Sequence, residues 1–115
     1  MKVMKIADIP ETPRSGGIFT DTVGVKTLIG DESRDLSVSI VSFPKGARNI
    51  FHTHVYDQCL FVLSGKGIIA DEEKETPLSE GMVAYIPAGE KHWHGATKES
   101  AFSHISILRK GQTRV

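Results

Sequence analysis

Four of the five histidines in this chain form two His-x-His pairs, His52/His54 and His92/His94, and the fifth is His104. Neutral imidazole is the commonest protein nitrogen ligand for a metal ion. In an extended strand, residues i and i+2 project from one face. His52 and His54 therefore point together and offer two ligands to one ion. Taken alone, a single pair is equally consistent with surface or hydrogen-bonded histidines at chance spacing.

The elements that must carry these residues read as strands. Eleven glycines and five prolines punctuate short apolar runs, as in all-β sandwiches and barrels. No stretch repeats apolar residues at helical spacing for long enough to form a helix. Residues 37–43, rich in β-branched side chains, predict a strand that ends in a type I turn at Pro44-Lys-Gly46. Residues 58–64 predict a second strand, closed by a hairpin turn at Gly65-Lys-Gly67, with residues 68–71 pairing back onto it. The charged run 71–75 is then a solvated hairpin tip. Residues 82–86 and 101–108 complete the set. Residues 9–22, with two prolines and a Gly-Gly pair, read as an irregular arm or edge.

The punctuation around the histidines is itself patterned. Gly46, five residues, His52-Thr-His54, three residues, Gln58, six residues and Gly65 form one series; Gly81, five residues, Pro87-Ala-Gly89, two residues and His92 form another. These two spacings resemble the paired motifs of the cupin family and span most of the chain from Ser37 to Leu108. The resemblance implies an all-β double-stranded β-helix, a jelly-roll barrel, holding one metal ion on His52, His54, Gln58 and His92. The strings His-x-His-x-x-x-Gln, Gly89-Glu-Lys-His-Trp-His-Gly-Ala96 and Ala101-Phe-Ser-His104 are similar to the small bacterial manganese cupins that include hydroxynitrile lyases. That likeness implies manganese, with iron, nickel, cobalt or zinc as alternatives, and His104 as general base.

Two positions depart from the family pattern: Gln58 stands where glutamate is usual, and Ala96 where asparagine is usual. A carboxylate would cancel one charge of the ion and an amide oxygen cancels none, so the ion would stay a stronger Lewis acid. The alternative is that Gln58 is no ligand and waters complete the shell. His104 has two readings: burial beside a cation keeps it neutral and able to accept a proton, or it is a core histidine bonded to backbone. His94, two residues from His92, either orients a ligand or, the favoured reading, packs at the barrel mouth without a chemical role. Alternation turns Cys59 and Trp93 away from the metal face, toward core or a subunit contact. Tyr56 and Asp57 fall in the bend between His54 and Gln58 and read as a solvated turn.

The remaining composition excludes more than it assigns. The 115 residues suit one domain, with residues 1–36 as an N-terminal arm and edge strands and 37–110 as the barrel core. Fourteen basic residues balance fourteen acidic ones with no block of either sign, which argues against nucleic acid as a partner. No apolar run approaches the ~20 residues of a membrane span, and the first residues show no apolar signal core. One cysteine, Cys59, cannot form an internal disulfide. These features predict a cytoplasmic chain that binds a small molecule, and the small core and apolar strand faces predict a homodimer. Three functions follow: a metal-dependent lyase acting on a small carbonyl or hydroxynitrile, an oxygenase using dioxygen or peroxide, and a non-catalytic metal or ligand sensor.

Overall fold

In the computed structural model, which describes all 115 residues, the chain forms ten strands and one short helical turn, Ile6–Asp8. The strands are β1 (Thr12–Arg14), β2 (Val23–Ile29), β3 (Leu36–Phe43), β4 (Thr53–His54), β5 (Gln58–Ala70), β6 (Glu75–Ser79), β7 (Val83–Ile86), β8 (Trp93–Ala96), β9 (Phe102–Arg109) and β10 (Thr113–Arg114). Every pairing is antiparallel. The main sheet runs β1-β2-β3-β9-β5-β6, with β7 and β8 also paired to β5, and β10 pairs β4. The sheet curls so that its inner face closes on a core of Val23, Val25, Phe43, Ala47, Val62, Leu78, Ala96 and Phe102. The all-β jelly-roll expectation holds, and no helix is long and apolar enough to cross a membrane.

The central strand departs from the sequence reading. Residues 58–64 and 68–71 were expected to be two strands folded about Gly65-Lys-Gly67. They form one continuous 13-residue strand, β5, whose first half pairs β7 and β9 and whose second half pairs β6 and β8. The two glycines serve close packing instead of a turn. Gly65 has φ +77°, and a Cβ there would lie 1.9 Å from the Ala101 carbonyl oxygen. A Cβ on Gly67 would lie 2.6 Å from the ring of Phe102. The register between β5 and β9 shifts between Val62 and Ser64, beside Gly65.

The turn after β3 differs in type from the one expected: Ala47 N–H donates to the Pro44 carbonyl at 3.0 Å and Gly46, third in the turn, takes φ +76°, which makes it a type II turn over residues 44–47 instead of a type I turn ending at Gly46. The 71–75 tip is closed by Asp71 Oδ1, which accepts from the Glu73 and Lys74 amides at 2.8 Å each. The arm is mostly irregular but contributes the edge strand β1, and β2 carries Val23 and Val25, both almost fully buried, into the core.

Candidate metal centre

His52 and His92 sit side by side because their backbones form a reciprocal bridge, each N–H donating to the other's carbonyl at 2.9 and 3.0 Å. His54 follows on β4, where β10 pairs with it. Extended backbone at 52–54 turns both rings inward, as the period-two argument requires. The ring centroids of the three histidines lie 4.3 to 5.3 Å apart, and their ligand nitrogens all fall within 4.8 Å of one another.

Each imidazole is oriented by a bond on its far nitrogen. His52 Nδ1 donates to the Ile50 carbonyl at 2.7 Å and His92 Nδ1 to the Glu90 carbonyl at 2.9 Å, and His54 Nδ1 lies 3.0 Å from Thr113 Oγ1, a hydroxyl able to accept its proton. A neutral ring that carries its proton on Nδ1 presents a lone pair at Nε2. Gln58 is oriented in the same way: its Nε2 donates to Ser106 Oγ at 2.9 Å, which leaves Oε1 free. His54 Nε2, His92 Nε2 and Gln58 Oε1 are all buried with no hydrogen-bond partner. One orphaned buried polar atom costs about 1–3 kcal/mol, so three lone pairs orphaned together indicate a binding site for a cation. Neutral imidazoles suit a divalent transition ion.

Burial keeps these rings neutral. It pushes His52 and His54 down to about 4, aided by the neighbouring histidines and opposed by the Ile50 carbonyl and the Gln58 amide respectively. His92 is lowered for the same principal reason. The rings are thus free of competing protons at neutral pH.

His104, fully buried on β9 with Phe102 and Ser106 on its own face, lies behind this cluster. Its Nε2 is 3.1 Å from His94 Nδ1, so one of the two facing nitrogens carries the shared proton. Burial lowers His104 to about 4, and its Nδ1 has no partner. The expectation that His94 only packs at the barrel mouth is corrected. His94 is buried, its Nε2 lies 3.4 Å from Asn49 Nδ2, and its backbone N–H donates to Asn49 Oδ1 at 2.8 Å. Its interior position joins His104 to the His92 segment, where the rings of His92 and His94 stack at 5.8 Å.

Sequence reasoning missed Asn49, Ser106 and Thr113, which position the histidines and Gln58 without any motif of their own. The other expected orientations hold. Cys59 turns outward from β5, and Trp93 points away from the cluster, with the Arg48 guanidinium 3.8 Å over its ring. Asp57 and Tyr56 are exposed; Asp57 Oδ1 accepts from the Ala88 amide at 2.8 Å, and Arg109 stacks on Tyr56.

A cavity of about 280 Å³ opens onto the centre, with His52, His54, Gln58, His94 and His104 in its walls. Ile18, Phe19, Val25, Val41, Phe43 and Leu108 supply its apolar wall, and Arg14, Ser37, Ser39, Asn49, Ser106 and Thr113 its other polar positions. His92 approaches from the opposite side, where it lines a smaller hollow with Ile86 and Glu90.

The chain is 35% identical over 94 residues to an (R)-mandelonitrile lyase of Granulicella tundricola, a match that covers 80% of this chain and 72% of that protein. Its fold superposes on a cupin-like protein of Thermotoga maritima with TM-score 0.82 and 32% identity, covering 99% of this chain and 87% of that one. A polyketide cyclase of Streptomyces resistomycificus matches with TM-score 0.87 at 15% identity, covering 99% and 84% of the two chains, and shares the fold alone. The cupin domain model matches residues 39–108. With the curled antiparallel barrel and the buried histidine cluster, that match establishes that the chain belongs to the cupin family, as a small protein of the cupin-2 type.

Proposed function

We propose that this protein is a metal-dependent lyase acting on a small carbonyl or hydroxynitrile compound. The observation that carries the reading is the set of unpartnered lone pairs: Nε2 of His54 and His92 with Oε1 of Gln58, buried beside His52, while the opposite atom of each side chain is already bonded. His52, His54, Gln58 and His92 would hold the ion, with manganese the expected metal. When bound, the ion supplies Lewis acidity toward a carbonyl or alkoxide oxygen. The likeness to the mandelonitrile lyase supports the choice of reaction class.

The residues of the chain account for the proton. His104 is kept neutral by burial; to act as base it takes the tautomer that donates Nε2–H to His94 Nδ1, which gives up the 3.4 Å contact from Asn49 Nδ2 to His94 Nε2 and frees the unpartnered His104 Nδ1 lone pair. In hydroxynitrile cleavage, His104 takes the hydroxyl proton as the C–C bond breaks. The bonding pair leaves on the cyanide carbon, the carbonyl forms, and the imidazolium returns its proton to cyanide.

Two measurements test this reading. Elemental analysis of gently purified protein should find about one equivalent of divalent metal, absent in His52→Ala. A protein that takes up no metal after incubation with manganese and iron salts would sink the proposal. His104→Ala should keep the metal and lose mandelonitrile turnover; a metal-loaded wild type without turnover would point to a sensor.

A further inference from the structure

Asn49, His94 and His104 are buried together in the wall of one cavity, and their contacts form a chain with a direction. Asn49 Oδ1 accepts the backbone N–H of His94 at 2.8 Å. That bond fixes which way round the amide sits, because an N–H needs an acceptor. The amide nitrogen is then the end that faces His94 Nε2, at 3.4 Å. An amide nitrogen can only donate, so Nε2 accepts and the His94 ring proton is on Nδ1. Nδ1 lies 3.1 Å from His104 Nε2 and donates to it. The His104 ring proton is therefore on Nδ1, the buried atom that has no partner. Burial keeps both rings neutral, with one proton each. Phe43 packs against both imidazoles and Phe102 against His104, and neither can compete for a ring proton. The opposite arrangement would set His94 Nε2–H against the Asn49 amide, two donors face to face in a buried site.

We propose that Asn49 is a positioning residue that holds the resting site with His104 Nδ1–H toward the cavity, as a donor instead of a base. A carbonyl or alkoxide oxygen that enters is met by an N–H. Cleavage of a hydroxynitrile needs the chain of protons reversed. His104 Nδ1 gives a proton up to water, the proton between the rings crosses from His94 Nδ1 to His104 Nε2, and His94 Nε2 takes one from water. The proton count is unchanged, and the cost is the lost bond from Asn49. The kinetic consequence rests on the lyase reading given above, which it deepens; the proton positions rest on the contacts alone.

Nitrogen-15 NMR distinguishes a protonated from an unprotonated imidazole nitrogen, and it tests this on chelator-treated and on zinc-treated protein. In the wild type His94 and His104 should both be protonated at Nδ1. Asn49→Asp keeps an acceptor for the His94 backbone but sets a second acceptor against Nε2, so both ring protons should move to Nε2. Asn49→Ala removes the amide, and the protons should spread over both nitrogens. A wild type protonated at Nε2, or the wild-type pattern retained in both variants, would overturn the assignment; movement in either variant supports it. In manganese-treated protein, Asn49→Asp should raise kcat for mandelonitrile cleavage about tenfold at unchanged KM, the size expected when one buried pair of opposed donors is relieved. Moved ring protons without that rise would overturn the kinetic consequence. Turnover by a wild type with His104 protonated at Nε2 would leave the lyase reading standing and refute this one. Nδ1 protons as stated, in a protein without turnover in any form, would do the reverse.

Discussion

Replacing Thr113 by Val keeps the shape of the side chain but removes the hydroxyl that lies 3.0 Å from His54 Nδ1. With its tautomer no longer fixed, His54 should bind manganese less well, and a loss of about 10- to 100-fold in affinity at unchanged stoichiometry is expected in a chelator-competition titration. Gln58→Glu acts in the opposite direction. It adds a negative charge at an oxygen that now has no partner, so manganese should bind about tenfold more tightly, equivalent to ~1.4 kcal/mol. Any turnover should fall, because a less positive ion is a weaker Lewis acid. A rise in turnover would show that the neutral amide is not what sets the acidity. Both outcomes depend on single hydrogen bonds or charges, so neither variant is expected to disturb the barrel.

The strands that hold the site depend on backbone approaching backbone. Gly95 separates His94 from Ala96 on β8, where the strand lies against residues 47 and 48. A Cβ there would fall 2.4 Å from Arg48 Cβ and 2.5 Å from the Ala47 carbonyl oxygen. Gly95→Ala must therefore push β8 away from that segment, at a cost of about 2–3 kcal/mol. The melting temperature should fall by roughly 10 °C in a thermal scan. The same kind of approach explains why the Gly65–Gly67 segment misled a local reading. Glycine spaced this way signals a turn by default, and only the presence of Ala101 and Phe102 across the sheet shows that it is a fitting for β9 within one long strand.

At the scale of the whole molecule, two behaviours follow from which faces are covered. His52, His54 and His104 are each pushed down to about 4 by burial, from an ordinary value of 6.5. As pH falls below 6.5 the unfolded chain takes up protons that the folded chain refuses, so stability present above 6.5 drains away down to about 4 and levels off below. Melting temperatures measured from pH 7 to pH 4 should fall across that window, and any bound metal should be released within it. On the outer face of the sheet, Cys59 aligns with Ile107 and Tyr85, and Phe61 with Ile105 and Val83. Phe61, Val83, Tyr85 and Ile107 are 39–64% exposed. Contiguous apolar surface of this kind is characteristic of interaction faces, and it is where the homodimer expected from the sequence would pack. Sedimentation should return twice the chain mass at micromolar concentration, and Phe61→Glu with Val83→Glu should return it to a single chain. A wild type that sediments as one chain would refute the dimer. The sequence alone marked an all-β chain, because β-branched runs and glycine–proline punctuation are local signals, and the resemblance of its two histidine motifs to the cupin family implied the barrel. It likewise determined that His52 and His54 share a face, because two residues of extended chain suffice. Tertiary structure decided the rest. Asn49, Ser106, Thr113 and Arg14 reach the centre or its cavity across strands far apart in the chain, and no spacing along one strand records what the curl of the sheet sets opposite it.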